Sequence, residues 1–162
     1  MTKALYAGSF DPFTNGHLDI VRRAAALFEN VMVGVLENCS KQSAFSPEER
    51  CDMIRRVLEE EKLQNVDICS FSGLTVELAK KTDCGCILRG IRDANDLSYE
   101  TKMEALNLRL APRIQTIYMA ASPLYAHVSS SAVKELCAYG ASIEGLVPAP
   151  IQISIAERLT KR

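Results

Sequence analysis

Short apolar runs and amphipathic stretches alternate along this chain, and their order predicts its architecture. KALYA at 3–7 reads as a first strand, and 17–28 as a first helix with Leu18, Val21, Ala25 and Phe28 on one face. VMVGVL at 31–36 is an apolar run rich in β-branched residues, the pattern of a buried strand. Ser46-Pro47-Glu48-Glu49 combines a capping box with a first-turn proline and predicts the start of a second helix. Met53, Ile54, Val57 and Leu58 are its expected buried stripe. VDICSF at 66–71 is a third strand and LTVELAKKT at 74–82 a third helix; CILRG at 86–90 is a fourth strand. A long helix follows over 96–110, with Tyr99, Met103, Leu106 and Leu110 as its stripe and Pro112 as its stop. IQTIYMA at 114–120 is a fifth strand, Ser129 opens a helix ending near Gly140, and Pro148 and Pro150 precede a last amphipathic helix.

Five strands, each followed by a helix, predict an α/β fold: a Rossmann-like, doubly wound, five-stranded parallel sheet with helices on both faces and C-terminal helices appended. The 162 residues suit one domain spanning 1–162 and can bury a sizeable core. The net charge of −1 gives no support for general nucleic-acid or membrane-surface binding, so a bound anion needs a local basic site. No apolar run approaches the ~20 residues of a membrane span, and the N-terminal stretch lacks the pattern of a signal peptide, so a cytoplasmic protein is expected. Cys39, Cys51, Cys69, Cys84, Cys86 and Cys137 lack paired CxxC spacing and read as free thiols used as small core residues.

Ligands of open parallel sheets bind beyond the carboxyl ends of the strands, and the unusual residues fall there. Gly8-Ser9-Phe10 follows the first strand and reads either as a backbone phosphate cradle or as a plain tight turn. Asp11-Pro12 reads as a turn device, and Asn15-Gly16 as an unusual turn that places His17 at the mouth of a helix. His17 is one of two histidines; it suits either a hydrogen-bond donor to a phosphate or a capping histidine. Lys41 lies in a polar loop. Arg89 ends an apolar strand, where a charge needs a partner: a phosphate or carboxylate ligand, or Asp93, Asp96 or Glu100. Ser129-Ser130-Ser131 offers hydroxyls and N–H groups at a helix start; capping by Ser129 explains one serine of the three. His127 reads as an exposed loop histidine, and the two histidines and scattered cysteines do not form a metal site. Neither GxGxxG nor GxxxxGK[ST] is present.

YAGSFDPFTNGH resembles the first signature of nucleotidyltransferases with an (H/T)xGH motif, and VSSSAVK their second. Within that superfamily the chain is similar to the bacterial phosphopantetheine adenylyltransferases: Thr14-Asn15-Gly16-His17, Lys41 with FSPEER at 45–50, RGIRDANDLSYE at 89–100, and the three serines stand in the expected order from near residue 3 to at least 134. Ala7 departs from the proline that the family often carries in this turn. The resemblance implies transfer of AMP from ATP to 4′-phosphopantetheine, giving dephospho-coenzyme A and pyrophosphate in the penultimate step of coenzyme A biosynthesis. It also implies Mg2+ held mainly by ATP phosphates, a homohexamer, and inhibition by coenzyme A. By position, His17 stabilises the transition state, with Lys41 and Arg89 as its catalytic partners. Ser9, Phe10, His17, Gly90, Ile91, Arg92, Glu100, Tyr125, Ala126, His127, Val128, Ser129, Ser130 and Ser131 are expected to bind ATP. Ser9, Lys41, Thr75 and Arg89 are expected to bind phosphopantetheine. Competing readings are a nucleotidyltransferase for nicotinate mononucleotide or glycerol 3-phosphate, a non-catalytic nucleotide-binding module, and a cysteine-based redox or metal protein.

Overall fold

The computed structural model describes residues 3–37 and 42–160. Its elements run β1 (Lys3–Gly8), α1 (Asn15–Leu27), β2 (Asn30–Leu36), α2 (Pro47–Glu60), β3 (Val66–Phe71), α3 (Thr75–Lys81), β4 (Cys86–Ile91), α4 (Ala94–Leu110), β5 (Gln115–Ala120), α5 (Ser130–Ala138) and α6 (Ala149–Leu159). The strands form one parallel sheet of order β3-β2-β1-β4-β5. The chain winds outward from β1 in one direction and from β4 in the other. The β1/β4 boundary is therefore the switch point, and a crevice opens beyond the carboxyl ends of these two strands. Gly8 closes β1 there, and Arg89 and Gly90 stand near the end of β4.

Strand alternation divides the core. Tyr6, Val31, Val33, Val35 and Leu88 pack on one face with Leu18, Val21, Ile54, Val133 and Ile151 from α1, α2, α5 and α6. Leu5, Ala7 and Ile87 pack on the other with Val76, Leu78 and Ala79 of α3. The two faces thus account for the near-continuous apolar strands. The residues that follow residue 140 bear no legible motif, yet Ile143, Val147, Ile151 and Ile155 belong to the core. Asn15 explains how they are held: its N–H donates to Leu146 O at 2.9 Å, and its Nδ2 donates to Gly145 O at 2.8 Å and Val147 O at 3.3 Å.

Three expectations are corrected. Asn15-Gly16 is no unusual turn; it forms the first residues of α1, and Gly16 is not among the residues with positive φ. The buried stripe of α1 is Leu18, Ile20, Val21 and Ala24, while Ala25 and Phe28 are only partly covered, because α1 starts earlier and meets the sheet on a slightly rotated face. The expected stripe of α4 is not buried: Tyr99 is 60% exposed, Leu106 55% and Leu110 51%. α4 touches β4, β5 and α3 but lies beside the edge strand β5, and among the described residues the outer face that carries Tyr99, Leu106 and Leu110 stays exposed. The capping box of α2 forms as expected, with Ser46 Oγ accepting from Glu49 N at 3.2 Å and Ser46 N donating to Glu49 Oε2 at 2.8 Å. The five described cysteines are free, and burial raises each thiol pKa; Cys39 lies outside the described residues.

Candidate active site

His17 is the third residue of α1, and Thr14 is its N-cap. Thr14 N–H donates to His17 Nδ1 at 3.0 Å, and His17 N–H donates back to Thr14 Oγ1 at 3.3 Å. This is a capping box in which an imidazole takes the usual place of Glu or Gln. A backbone N–H can only donate, so Nδ1 must accept, and the imidazole proton sits on Nε2. The ring packs edge-on to Phe10 at 5.1 Å and 87° and against Phe13 at 5.5 Å. Burial, then the fields of Arg92 and Arg89, lower its pKa to about 4. His17 is thus a neutral, oriented N–H donor at neutral pH.

The turn before it is tightly determined. Phe10 adopts a left-handed backbone with φ of 47°. Its ring passes so close to Gly8 that a Cβ there would lie 3.1 Å from Phe10 Cζ, which accounts for glycine at the end of β1. Asp11 is buried, and its carboxylate accepts from Ala44 N and Phe45 N, both at 3.0 Å, and from Lys134 Nζ at 3.1 Å. It is therefore a brace between this turn, the loop before α2, and α5, rather than only a turn device.

The rim opposite is basic and paired. Arg89 donates Nε at 2.8 Å and Nη2 to the two carboxylate oxygens of Glu100, and Nη1 to Ala7 O at 2.5 Å. Of the alternatives for Arg89, the structure shows the Glu100 ion pair. Three of the five guanidinium N–H groups are engaged, which leaves two for a ligand. Burial opposes this charge, and the Glu100 hydrogen bonds and charge outweigh it, so the pKa stays raised. Arg92 is held in the same manner by Asp96, at 2.8 and 2.9 Å. Ser129 caps α5 by accepting from Ala132 N at 3.1 Å, Ser130 Oγ donates to Pro12 O at 2.8 Å, and Ser131 remains exposed.

Two adjoining cavities result. The first, of about 320 Å³, is lined by Ser9, Phe10, His17, Gly90, Arg92, Glu100, Tyr125 and Val128–Ser131, all among the expected ATP contacts. The N-termini of α1 and α5 both border it, so exposed N–H groups and two helix dipoles favour an anion there. The second, of about 450 Å³, includes Thr75, Tyr99, Met103 and Asn107. Gly8, Ser9, Arg89 and Glu100 form the wall common to both. Such an arrangement can hold two substrates with their reacting groups at one partition.

Residues 5–136 match the cytidylyltransferase-like family model. A phosphopantetheine adenylyltransferase of Clostridium kluyveri is 44% identical over 99% of this chain and 97% of its own length. The chain belongs to the phosphopantetheine adenylyltransferase family. Another member, from Dictyoglomus turgidum, is 46% identical over 91% of each chain. A solved nicotinic acid mononucleotide adenylyltransferase of Plasmodium falciparum, complexed with NaAD, superposes with a TM-score of 0.71 at 14% identity, over 96% of this chain and 94% of its own; that likeness concerns the fold.

Against this phosphopantetheine adenylyltransferase frame, the expected ATP contacts Ile91, Ala126 and His127 stand outside the lining of both cavities. Lys41 lies outside the described residues. Sequence reasoning missed Tyr6 and Thr14 as lining residues, and Arg50, which is 1% exposed. A signal for Arg50 was legible: 50, 53, 54 and 57 share the buried stripe of α2, so a cation sits on an apolar face.

Proposed function

We propose that this chain transfers the adenylyl group of ATP to the phosphate of 4′-phosphopantetheine, releasing pyrophosphate and forming dephospho-coenzyme A. The observation that carries the reading is the pair of cavities meeting at Gly8, Ser9, Arg89 and Glu100 in a member of this family. ATP fits the first and the acceptor the second.

The attacking atom is a phosphate oxygen, already ionised at neutral pH, so the reaction needs no general base. An O–P bond forms at the α-phosphorus while the bond to the β-phosphate oxygen breaks, and pyrophosphate leaves with the electron pair. Catalysis then rests on in-line positioning and on stabilising charge at the α-phosphate. His17 Nε2–H supplies a donor to an α-phosphate oxygen. Its low pKa suits this role, since a neutral donor persists across the working pH range. Ser9 and the Phe10 N–H hold the reacting phosphates, and the two remaining Arg89 N–H groups, with Lys41, take the acceptor phosphate. Thr75 borders the same acceptor cavity.

Asp96 and Glu100, the carboxylates of the first cavity, are engaged by Arg92 and Arg89. Among the described residues no three His, Cys, Asp or Glu groups gather to hold a metal ion. Mg2+ held on phosphate oxygens would need no such cage, and it would supply charge neutralisation for the leaving pyrophosphate. Coenzyme A contains both the phosphopantetheine arm and an adenosine phosphate, so it fits the same pair of cavities as a competing inhibitor. We also assign the enzyme to the cytoplasm and to a homohexamer; the exposed Leu97, Tyr99, Leu106 and Leu110 of α4 support self-association.

The test is pyrophosphate release with ATP, Mg2+ and a panel of phosphorylated acceptors. Release that requires 4′-phosphopantetheine is the expected result. Equal release with nicotinate mononucleotide or glycerol 3-phosphate, or ATP binding without acceptor-dependent release, overturns the reading.

A further inference from the structure

Arg50 stands out among the buried groups that the reaction does not use. Its side chain is among the largest that are fully buried. Nη1 donates to Ser9 O at 2.5 Å and Leu36 O at 3.2 Å, and Nε donates to Ser46 O at 3.3 Å. All three acceptors are main-chain carbonyls, and among the described residues no carboxylate is in ion-pair contact with it. Of the surrounding acids, Glu49 pairs with Arg158 and Asp11 with Lys134, while Glu37 lines a cavity together with Arg50 and Glu48 feels the Arg50 charge through space, neither in ion-pair contact with it. A buried guanidinium without a contacting carboxylate is costly, and its bonds point to what it holds.

Ser9 C=O and Phe10 N–H belong to one peptide plane. That peptide is trans, so the two groups point in opposite directions. With the carbonyl fixed on Arg50, the Phe10 N–H points away from α2, and it finds no acceptor among the described residues. Ser9 and Phe10 both line the ATP-side cavity. Phe10 also has the left-handed backbone that L-residues avoid, at φ of 47°, and a flip of the Ser9–Phe10 peptide is one way to relieve it.

We infer that Arg50 is a positioning residue of the phosphate loop: it clamps the Ser9–Phe10 peptide so that the Phe10 N–H is presented to the reacting phosphates, and it polarises that N–H through a charge-assisted bond to the same peptide. Leu36 O, at the end of β2, ties the clamp to that strand. The kinetic consequence rests on the adenylyl-transfer reading; the conformational one does not.

Two variants and two readouts test it. Arg50→Lys keeps the charge, but its single ammonium cannot reproduce the fork across Ser9, Leu36 and Ser46. In Arg50→Lys the kcat for pyrophosphate formation is expected to fall about 10-fold or more, with KM for both substrates within about 3-fold of the parent. In Arg50→Ala it is expected to fall about 100-fold, and millimolar guanidinium should restore about 10-fold of that while sodium at equal concentration restores none. Should Arg50→Ala fail to fold, Arg50→Lys carries the kinetic test. The second readout is the Phe10 amide NMR resonance in substrate-free protein, which should move markedly in Arg50→Lys. Parent-like kcat in Arg50→Lys, a loss confined to KM, or an unmoved Phe10 amide overturns the inference. If the parent itself forms no pyrophosphate, the functional reading fails, and the amide resonance still decides the role of Arg50.

Discussion

The ionisation of His17 yields a prediction that needs no substrate. In the unfolded chain a histidine titrates near 6.5, whereas burial beside Arg92 and Arg89 lowers His17 to about 4 in the folded protein. The folded state therefore binds this proton less readily than the unfolded state. The stabilising difference is complete above about pH 6.5 and is lost progressively as the pH falls toward 4, at no more than about 1.4 kcal/mol per pH unit. Between pH 7.5 and 5.0 this one group should remove about 2 kcal/mol, out of a limit near 3 kcal/mol. For a chain of this size that is a fall in Tm of about 4–8 °C. Carboxylates also lose stability in acid, so the measurement is a difference. Urea unfolding of the parent and of His17→Asn is compared at both pH values. The asparagine oxygen can accept from Thr14 N–H in place of Nδ1, which preserves the cap while removing the titration. Carboxylate contributions cancel, and the parent should lose about 2 kcal/mol more than the variant. Equal losses refute the argument. So does a nitrogen spectrum that puts the His17 proton on Nδ1; with only two histidines in the chain, the assignment is direct.

Other expectations follow from the same geometry. His17→Asn lacks the Nε2 donor, so acceptor-dependent pyrophosphate formation should fall about 10²- to 10³-fold, while ATP affinity measured by calorimetry changes by only a few-fold. Gly8→Ala places a Cβ 3.1 Å from Phe10 Cζ and must displace a ring packed between Tyr6, Phe13 and His17; about 1–3 kcal/mol of stability should be lost in denaturant melts, with turnover lowered as well. Glu100→Gln removes the charge that holds the Arg89 fork, so KM for the phosphorylated acceptor should change more than thermal stability predicts, as seen by comparing steady-state kinetics with the shift in Tm. Leu106→Asp, on the exposed face of α4, should leave the monomer fold intact by circular dichroism but lower the mass seen by sedimentation equilibrium.

The strands were legible because a parallel sheet covered on both faces writes itself as short, nearly unbroken apolar runs; β3 matches its expected bounds, and the others differ at their ends by a residue or so. The crevice was legible for the same reason, since strand ends predict where ligands gather. α4 was misread because periodicity reports an apolar stripe without saying what covers it. A stripe for another chain and a stripe for the core look alike in one sequence. The tail beyond residue 140 was silent because its role is carried by scattered long-range tethers, Asn15 to the 145–147 carbonyls, Arg56 to Pro150 O and Arg158 to Glu49, and by generic apolar packing. Asp11 was read only as a turn device, and the burial of Arg50 was legible but its role was not, because their partners are main-chain groups and a lysine far along the sequence, contacts that residue type and spacing do not encode.

The site residues also show why two readings of one side chain need not compete. His17 is a capping histidine and, for that reason, an oriented donor: the cap occupies Nδ1, and occupation of Nδ1 places the proton on Nε2. Arg89 is an ion-pair partner of Glu100, and the same pair fixes its plane while leaving two N–H groups for a ligand. Ser129 caps α5, which anchors a helix start that borders the cavity. In each case the local structural bond consumes one side of a polyfunctional group and aims the other. A substitution that keeps the structural bond and deletes the aimed side, such as His17→Asn, therefore separates folding from catalysis more cleanly than truncation to alanine, which removes both at once. If His17→Asn and His17→Ala lost stability and turnover in the same proportion, the cap and the donor would be one role rather than two.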